Sequence, residues 1–267
     1  MGRATALGLS LLMCVACIGS TGGERVSFRA SAAGPKDAIA GSPLVFRTQA
    51  GFDVSLTSAK LHVQALYLDR RDRSRPERES GCYSADAYVG EVRSSLDVNL
   101  LDGQPRPFVD EGVALSGSVN SADVWLGEGD INAFTRASAK QVVLHAVGTA
   151  SHAGVQIPFA VDFRIDTNRA KAPDSAALPG SNPICHQRIV SKISTSFIVD
   201  GPGTLVLRID PRPMFDGVDF LQVPKESDSP LLFRLADNDS EAASAALMNG
   251  VRKNKGVYSF EWTPTDP

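Results

Sequence analysis

Four histidines, four cysteines and a few closely spaced carboxylates are the side chains of this 267-residue chain best able to hold a metal or move a proton. His62, His145, His152 and His186 carry imidazoles, which serve near neutral pH as metal ligands or acid–base groups. His145 falls in one strand-like segment and His152 in the loop that follows, Gly148 to Gly154, so a hairpin there would bring the two rings near each other. With Met214 or Met248 they would form a soft site suited to copper. No two histidines stand two residues apart, the spacing that puts ligands on one face of a strand. A purely structural use of the imidazoles therefore stands beside the copper reading, in which His145 and His152 are the metal ligands.

The carboxylates point to turns before they point to catalysis. Asp216 and Asp219 lie three residues apart in a segment with Pro211, Pro213 and Gly217. A hydrolase needs two carboxylates facing each other across a cleft with separated pKa values, whereas acids in a Pro- and Gly-containing turn read as turn caps. The run Asp237 to Glu241 resembles the start of a calcium loop, but Ala242 stands where glycine is needed and Met248 where a bidentate glutamate is needed. Helix capping is the simpler use of these residues. The chain has no Gly-x-Ser-x-Gly elbow, no His-Glu-x-x-His helix, no phosphate-cradling glycine loop with its lysine and no dinucleotide fingerprint. The expectation is a protein that is not an enzyme, with no catalytic residues assigned and no cofactor beyond the copper alternative.

The N-terminus gives the clearest functional signal. Arg3, the apolar run Ala6 to Val15 and the small residue Ala16 before Cys17 read as a bacterial secretory signal over residues 1 to 16. The run is too short to cross a bilayer. Cys14-Val15-Ala16-Cys17 resembles a lipobox, with Cys14 where leucine is usual, so Cys17 is the expected lipidation site and residues 17 to 23 the anchor and tether. An ordinary signal cleaved near Gly19 to Gly23, releasing a secreted product, is the alternative. Ile18 stands where an aspartate would suggest retention in the inner membrane, which favours the outer membrane or cell surface.

The formal charge is −3, and loss of the signal with Arg3 takes it to about −4, too acidic for a nucleic-acid binder. Cys82 and Cys185 are the other cysteines, and in an exported protein such a pair reads as a disulfide. It would close a loop of roughly 100 residues, worth about 4–5 kcal/mol in the chain-entropy model.

The elements that must position these groups are strands. Val155, Ile157, Phe159, Val161, Phe163 and Ile165 alternate with more polar residues, the period-two pattern of a strand with one buried face. Ile189 to Val199 and Leu205 to Ile209 repeat it around Gly201-Pro202-Gly203, so residues 187 to 210 read as two strands joined by a turn. Further candidates are Val26 to Arg29, Asp53 to Leu56, Lys60 to Leu68, Leu96 to Leu101, Val113 to Val119, Val142 to Thr149 and Val257 to Thr263. About ten short strands with turn signals between them predict an all-β, antiparallel, immunoglobulin-like sandwich. Pro158 places its strand at an edge or bulge. One helix is expected over Glu241 to Asn249, capped by Asp239 or Ser240 and ended by Gly250. Asp69 to Ser80 and Thr167 to Asn182 read as charged or Pro-containing surface loops. Residues 24 to 267 then form a single domain.

Gly51-Phe52-Asp53-Val54-Ser55-Leu56, Gly148-Thr149-Ala150 before Ile157-Pro158-Phe159, and Arg208-Ile209-Asp210-Pro211-Arg212, taken with the lipobox-like start, resemble a group of uncharacterised lipoproteins of Gram-negative bacteria. The shared features are strand starts, turns and a Pro-rich corner, and the resemblance implies an exported lipoprotein without implying an activity. A weaker similarity is to β-rich MbnP-like domains associated with copper handling, whose ligands include histidines. The expectation is a lipid-anchored binding or structural module of the cell envelope, bound to the membrane through its lipid, that displays residues 69 to 95 and 167 to 186 to a protein or polymer partner. A copper-handling surface lipoprotein is the alternative.

Overall fold

The computed structural model describes residues 23–70, 88–127, 142–165, 188–237 and 240–265. Cys14, Cys17, Cys82, Cys185 and His186 lie outside them, as do residues 167 to 182 and most of 69 to 80. The chain opens with β1 (Arg25–Ala33), β2 (Leu44–Arg47), β3 (Asp53–Val63) and β4 (Ala65–Asp69). Next come β5 (Tyr88–Val92), β6 (Leu96–Asn99), β7 (Arg106–Pro107), β8 (Gly112–Leu115) and β9 (Gly117–Trp125). β10 (Leu144–His152), β11 (Val155–Phe163), β12 (Ile189–Val199) and β13 (Gly203–Ile209) are the longer strands of the second half. Two 3₁₀ turns, Arg212–Phe215 and Phe220–Gln222, lead to β14 (Lys225–Asp228), β15 (Leu231–Ala236), the helix α1 (Ala242–Val251) and β16 (Tyr258–Pro264).

The protein is mostly β, and its strands form two sheets. The first runs β12-β9-β4-β5-β8-β1-β13-β16, with β7 added on β1. It curls until its two end strands meet, and the sheet comes close to a barrel: Phe197 of β12 stacks on Trp262 of β16 with centroids 5.6 Å apart and planes 8° from parallel. The second runs β14-β15-β11-β10-β3-β2, with β6 added on β3. Each sheet holds one parallel pair, β1 with β13 and β11 with β15, where a wholly antiparallel arrangement was expected. β12 and β13 follow each other in sequence without pairing, because β13 lies between β1 and β16. Residues 69 to 95 are not all loop, since β5 runs through them to pair with β4 and β8.

The period-two reading of β11 holds: Ile157, Phe159, Val161 and Phe163 are buried while Gln156 and Asp162 face outward. Pro158 lies opposite Thr149 of β10, and β15 begins to pair only at Phe159. Its missing amide hydrogen therefore leaves no ladder partner unpaired. Ala153 and Gly154, at φ +49° and +81°, make the two-residue turn between β10 and β11. Positive φ at both central positions is the turn whose twist matches the flanking strands, and glycine fits it at the second position.

One contiguous core joins the two sheets. Beneath the second sheet, Phe159 packs on Phe220 and Phe215 with centroids 4.8 and 5.9 Å away, and Phe52 packs on Phe220 at 5.3 Å. The helix sits behind the 3₁₀ turns, with Leu247, Met248 and Val251 buried. Gly250 lies within the helix and does not end it: a Cβ there would come within 1.9 Å of the Met214 carbonyl oxygen. The residue answers to close packing, and Glu241 stands at the N-cap position.

Candidate binding cleft

The tight turn at Ala153 and Gly154 fixes the register of β10 against β11. His152 pairs with Val155, and seven residues on His145 pairs with Asp162. Both of the latter side chains point away from the core, and His145 Nδ1 lies 2.8 Å from Asp162 Oδ1. A carboxylate only accepts, so Nδ1 carries a hydrogen, and in the neutral ring Nε2 is then the acceptor. Asp162 is itself held from the far side, where Arg234 Nη1 of β15 donates to Oδ2 and Arg234 Nε donates to Glu226 Oε1 at 2.7 Å. Glu226 sits at an irregularity in the pairing of β14 between Lys225 and Ser227. Its hydrogen bond, with the charges of Glu226 and Asp162, raises the pKa of the guanidinium above its ordinary value despite partial desolvation.

On the other flank of β10 stands β3, where Lys60 is the direct partner of His145. Two residues along, His62 faces Asp97 of β6, and its Nδ1 donates to Asp97 Oδ1 at 2.8 Å. The Gln64 side-chain amide closes the other ring nitrogen at 3.1 Å. Lys60, His62, Asp97, Val142, His145 and Asp162 line a half-open cleft of about 250 Å³. His62 is buried, with 10% of its side chain exposed, against 42% for His145. Lys60 is exposed and has no ion-pair partner among the described residues, and His145 Nε2 has no hydrogen bond.

Among the sequence candidates, His145 belongs to this cleft and His152 does not. His152 lies at the end of β10 beside the turn, on the alternate set of side-chain positions. Seven residues of extended strand put the two Cα atoms on the order of 20 Å apart, so they cannot hold one ion together. His152 Nδ1 donates to the Gly51 carbonyl at 3.1 Å and its ring packs on Phe52 at 5.0 Å. Met214 and Met248 are core residues, 0% and 3% exposed. Among the described residues no group of three or more His, Cys, Asp or Glu side chains is arranged to hold a metal ion. Cys17, Cys82 and Cys185 fall outside the described residues, as do Asn238 and Asp239 of the acidic run.

The turn reading of the close acids is right for Asp219, which accepts from Leu221 N at 3.0 Å and from Gln222 Nε2 at 2.8 Å. Asp216 does something else: its Oδ2 receives Gln49 Nε2 at 3.1 Å and Lys253 Nζ at 3.3 Å. A second recess, of about 230 Å³, opens beside Lys36, Arg208, Asp210 and Glu261. Its charges are largely matched internally, Lys36 with Glu261 at 2.9 Å, while the neighbouring Arg212 bridges Asp210 and Asp37. That recess fastens the residue 35–37 segment to β13 and β16 and leaves less unspent bonding capacity.

The sequence reading did not single out Lys60, Asp97 or Asp162, nor pair His62 with a carboxylate. Compared with protein-family models, curated proteins and solved structures, the chain matches none of them.

Proposed function

We propose that this chain is an exported, lipid-anchored binding module of the bacterial cell envelope, and that its ligand enters the cleft on the outer face of the second sheet. One observation carries the binding assignment: the cross-strand partners Lys60 and His145 line one recess, and among the described residues neither the Lys60 ammonium nor His145 Nε2 has a partner, while the groups around them are paired. Polar groups left open on a rigid sheet are the means by which a cleft orients a ligand. Cys17 carries the lipid, the outer membrane or cell surface is the site, Cys82 and Cys185 form a disulfide, and the two sheets pack in the manner of a sandwich. A copper-handling role would need ligands other than His145 with His152.

The test is a thermal-shift survey of the exported protein against sugars, organic acids, amines and metal ions, repeated on His145→Gln. At least one class should raise the melting temperature of the parent and fail to do so in the variant. No stabilisation by any class, or stabilisation indifferent to His145, would count against the cleft.

A further inference from the structure

We infer that the cleft takes a small acid carrying a hydroxyl near its carboxylate, the pattern of a sugar acid, with the carboxylate on Lys60 Nζ and the hydroxyl donating to His145 Nε2. This rests on the binding reading above and names the ligand for it. The two open groups differ in kind. Lys60 offers a positive charge and three donors. As a neutral ring His145 offers an acceptor, because Asp162 takes the Nδ1 hydrogen and Arg234 with Glu226 holds Asp162 in place. A plain alcohol would leave the ammonium without a counter-charge, and a plain carboxylate would leave Nε2 unbonded.

The register puts the two side by side. Lys60 and His145 are direct cross-strand partners, so their Cβ atoms lie about 4.5–5.5 Å apart and one small molecule can touch both side chains. The carboxylates nearby are already engaged, Asp97 by His62 and Asp162 by His145 and Arg234. Among the described residues Lys60 is thus the cleft charge without an opposite partner, and it is the group that would meet an anion. The recess of about 250 Å³ lies below the roughly 300–1,000 Å³ of sites for drug-sized molecules, which limits the ligand to a single small ring or a short acyclic acid.

The probes are D-galacturonate, D-galactose and acetate, titrated at neutral pH into the exported protein by calorimetry and by histidine side-chain NMR. Galacturonate should bind at least about tenfold tighter than either of the other two, the equivalent of one charge-assisted hydrogen bond. Lys60→Gln should reduce it to the level of galactose, His145→Gln to the level of acetate, and His152→Gln should leave it unchanged. Lys60 is exposed, so its variant folds, and an unaltered melting temperature checks this. Galacturonate binding no tighter than galactose, or persisting in both cleft variants, overturns the assignment. An oligogalacturonate that binds more tightly than the monomer also overturns it, since the ligand would then extend beyond the cleft. If galactose alone perturbs His145, the acid assignment falls and the binding module stands.

Discussion

The two imidazole–carboxylate pairs on the outer face of the second sheet share an Nδ1 to Oδ1 distance of 2.8 Å, yet they do different work. His62 is buried and has a partner on each ring nitrogen. It ties β6 to β3 and has nothing left to offer a ligand. His145 is half exposed, its carboxylate is gripped from behind by Arg234, and one ring nitrogen remains open. The difference shows that a histidine beside an aspartate becomes a strut or a probe according to burial and the second nitrogen's partner, and not according to the pair itself.

The largest expected effect removes the floor under both pairs. Phe159 is fully buried on the inner face of β11, against Phe215 and Phe220. Phe159→Ala should destabilise the protein by about 3–5 kcal/mol in denaturant unfolding and perturb His62 and His145 together. If it disturbed neither ring, the sheet would not be the element that sets them. The next effect separates the pairs. Asp97→Asn leaves a buried imidazole with a weaker partner and should cost about 1–3 kcal/mol, while His145→Gln, half exposed, should cost less than about 1 kcal/mol. Equal costs in the same denaturation series would erase the distinction between strut and probe.

Smaller still is the effect of Arg234→Gln, which removes the backing of Asp162 from a third-exposed position and should cost no more than about 1 kcal/mol. Its signature should be spectroscopic: His145 loses its strict preference for hydrogen on Nδ1, visible in its side-chain nitrogen shifts, while His62 keeps its own. The smallest effect lies away from the cleft. The hydrogen bond from Arg212, together with its charge, holds the Asp37 carboxyl below its ordinary value despite slight desolvation. A carboxyl whose pKa is lowered on folding adds stability above its unfolded pKa and loses it as pH falls through the folded one. Acid unfolding of Asp37→Asn should therefore lack a small part of the parent's loss below about pH 4, with ligand binding at the cleft unchanged.

Much of the fold was legible because strands of one buried face announce themselves. The alternation read through Val155 to Ile165 located β11, which ends at Phe163 and departs from it at exposed Val155 and buried Ala160, and Ile189 to Val199 gave β12 its limits. What went unread has local causes. β14 is Lys-Glu-Ser-Asp, an exposed edge strand with no apolar rhythm, and β2 has four residues. The separation of β12 from β13 follows from β1 and β16 claiming β13, a long-range competition that periodicity does not encode.

The cleft divides in the same way. His145 opposite Asp162 was within reach of the sequence: had Ala153-Gly154 been read as a two-residue turn, counting outward would have paired them. Alanine in place of the usual asparagine hides that turn, so the loop expected over Gly148 to Gly154 is longer than the two residues the structure uses. His62 opposite Asp97 was out of reach, because β3 and β6 are separated in sequence by β4 and β5, so no hairpin count links the two residues.

The central claim is that His145 presents an open Nε2 to ligand while His62 is closed. Nitrogen-15 NMR of the histidine side chains, recorded at neutral pH before and after adding D-galacturonate, tests it directly. The account predicts hydrogen on Nδ1 of His145 in the free protein, a shift at its Nε2 on adding the acid, and an unmoved His62. Hydrogen on Nε2 of His145 in the free protein, or equal movement of both rings, would contradict it.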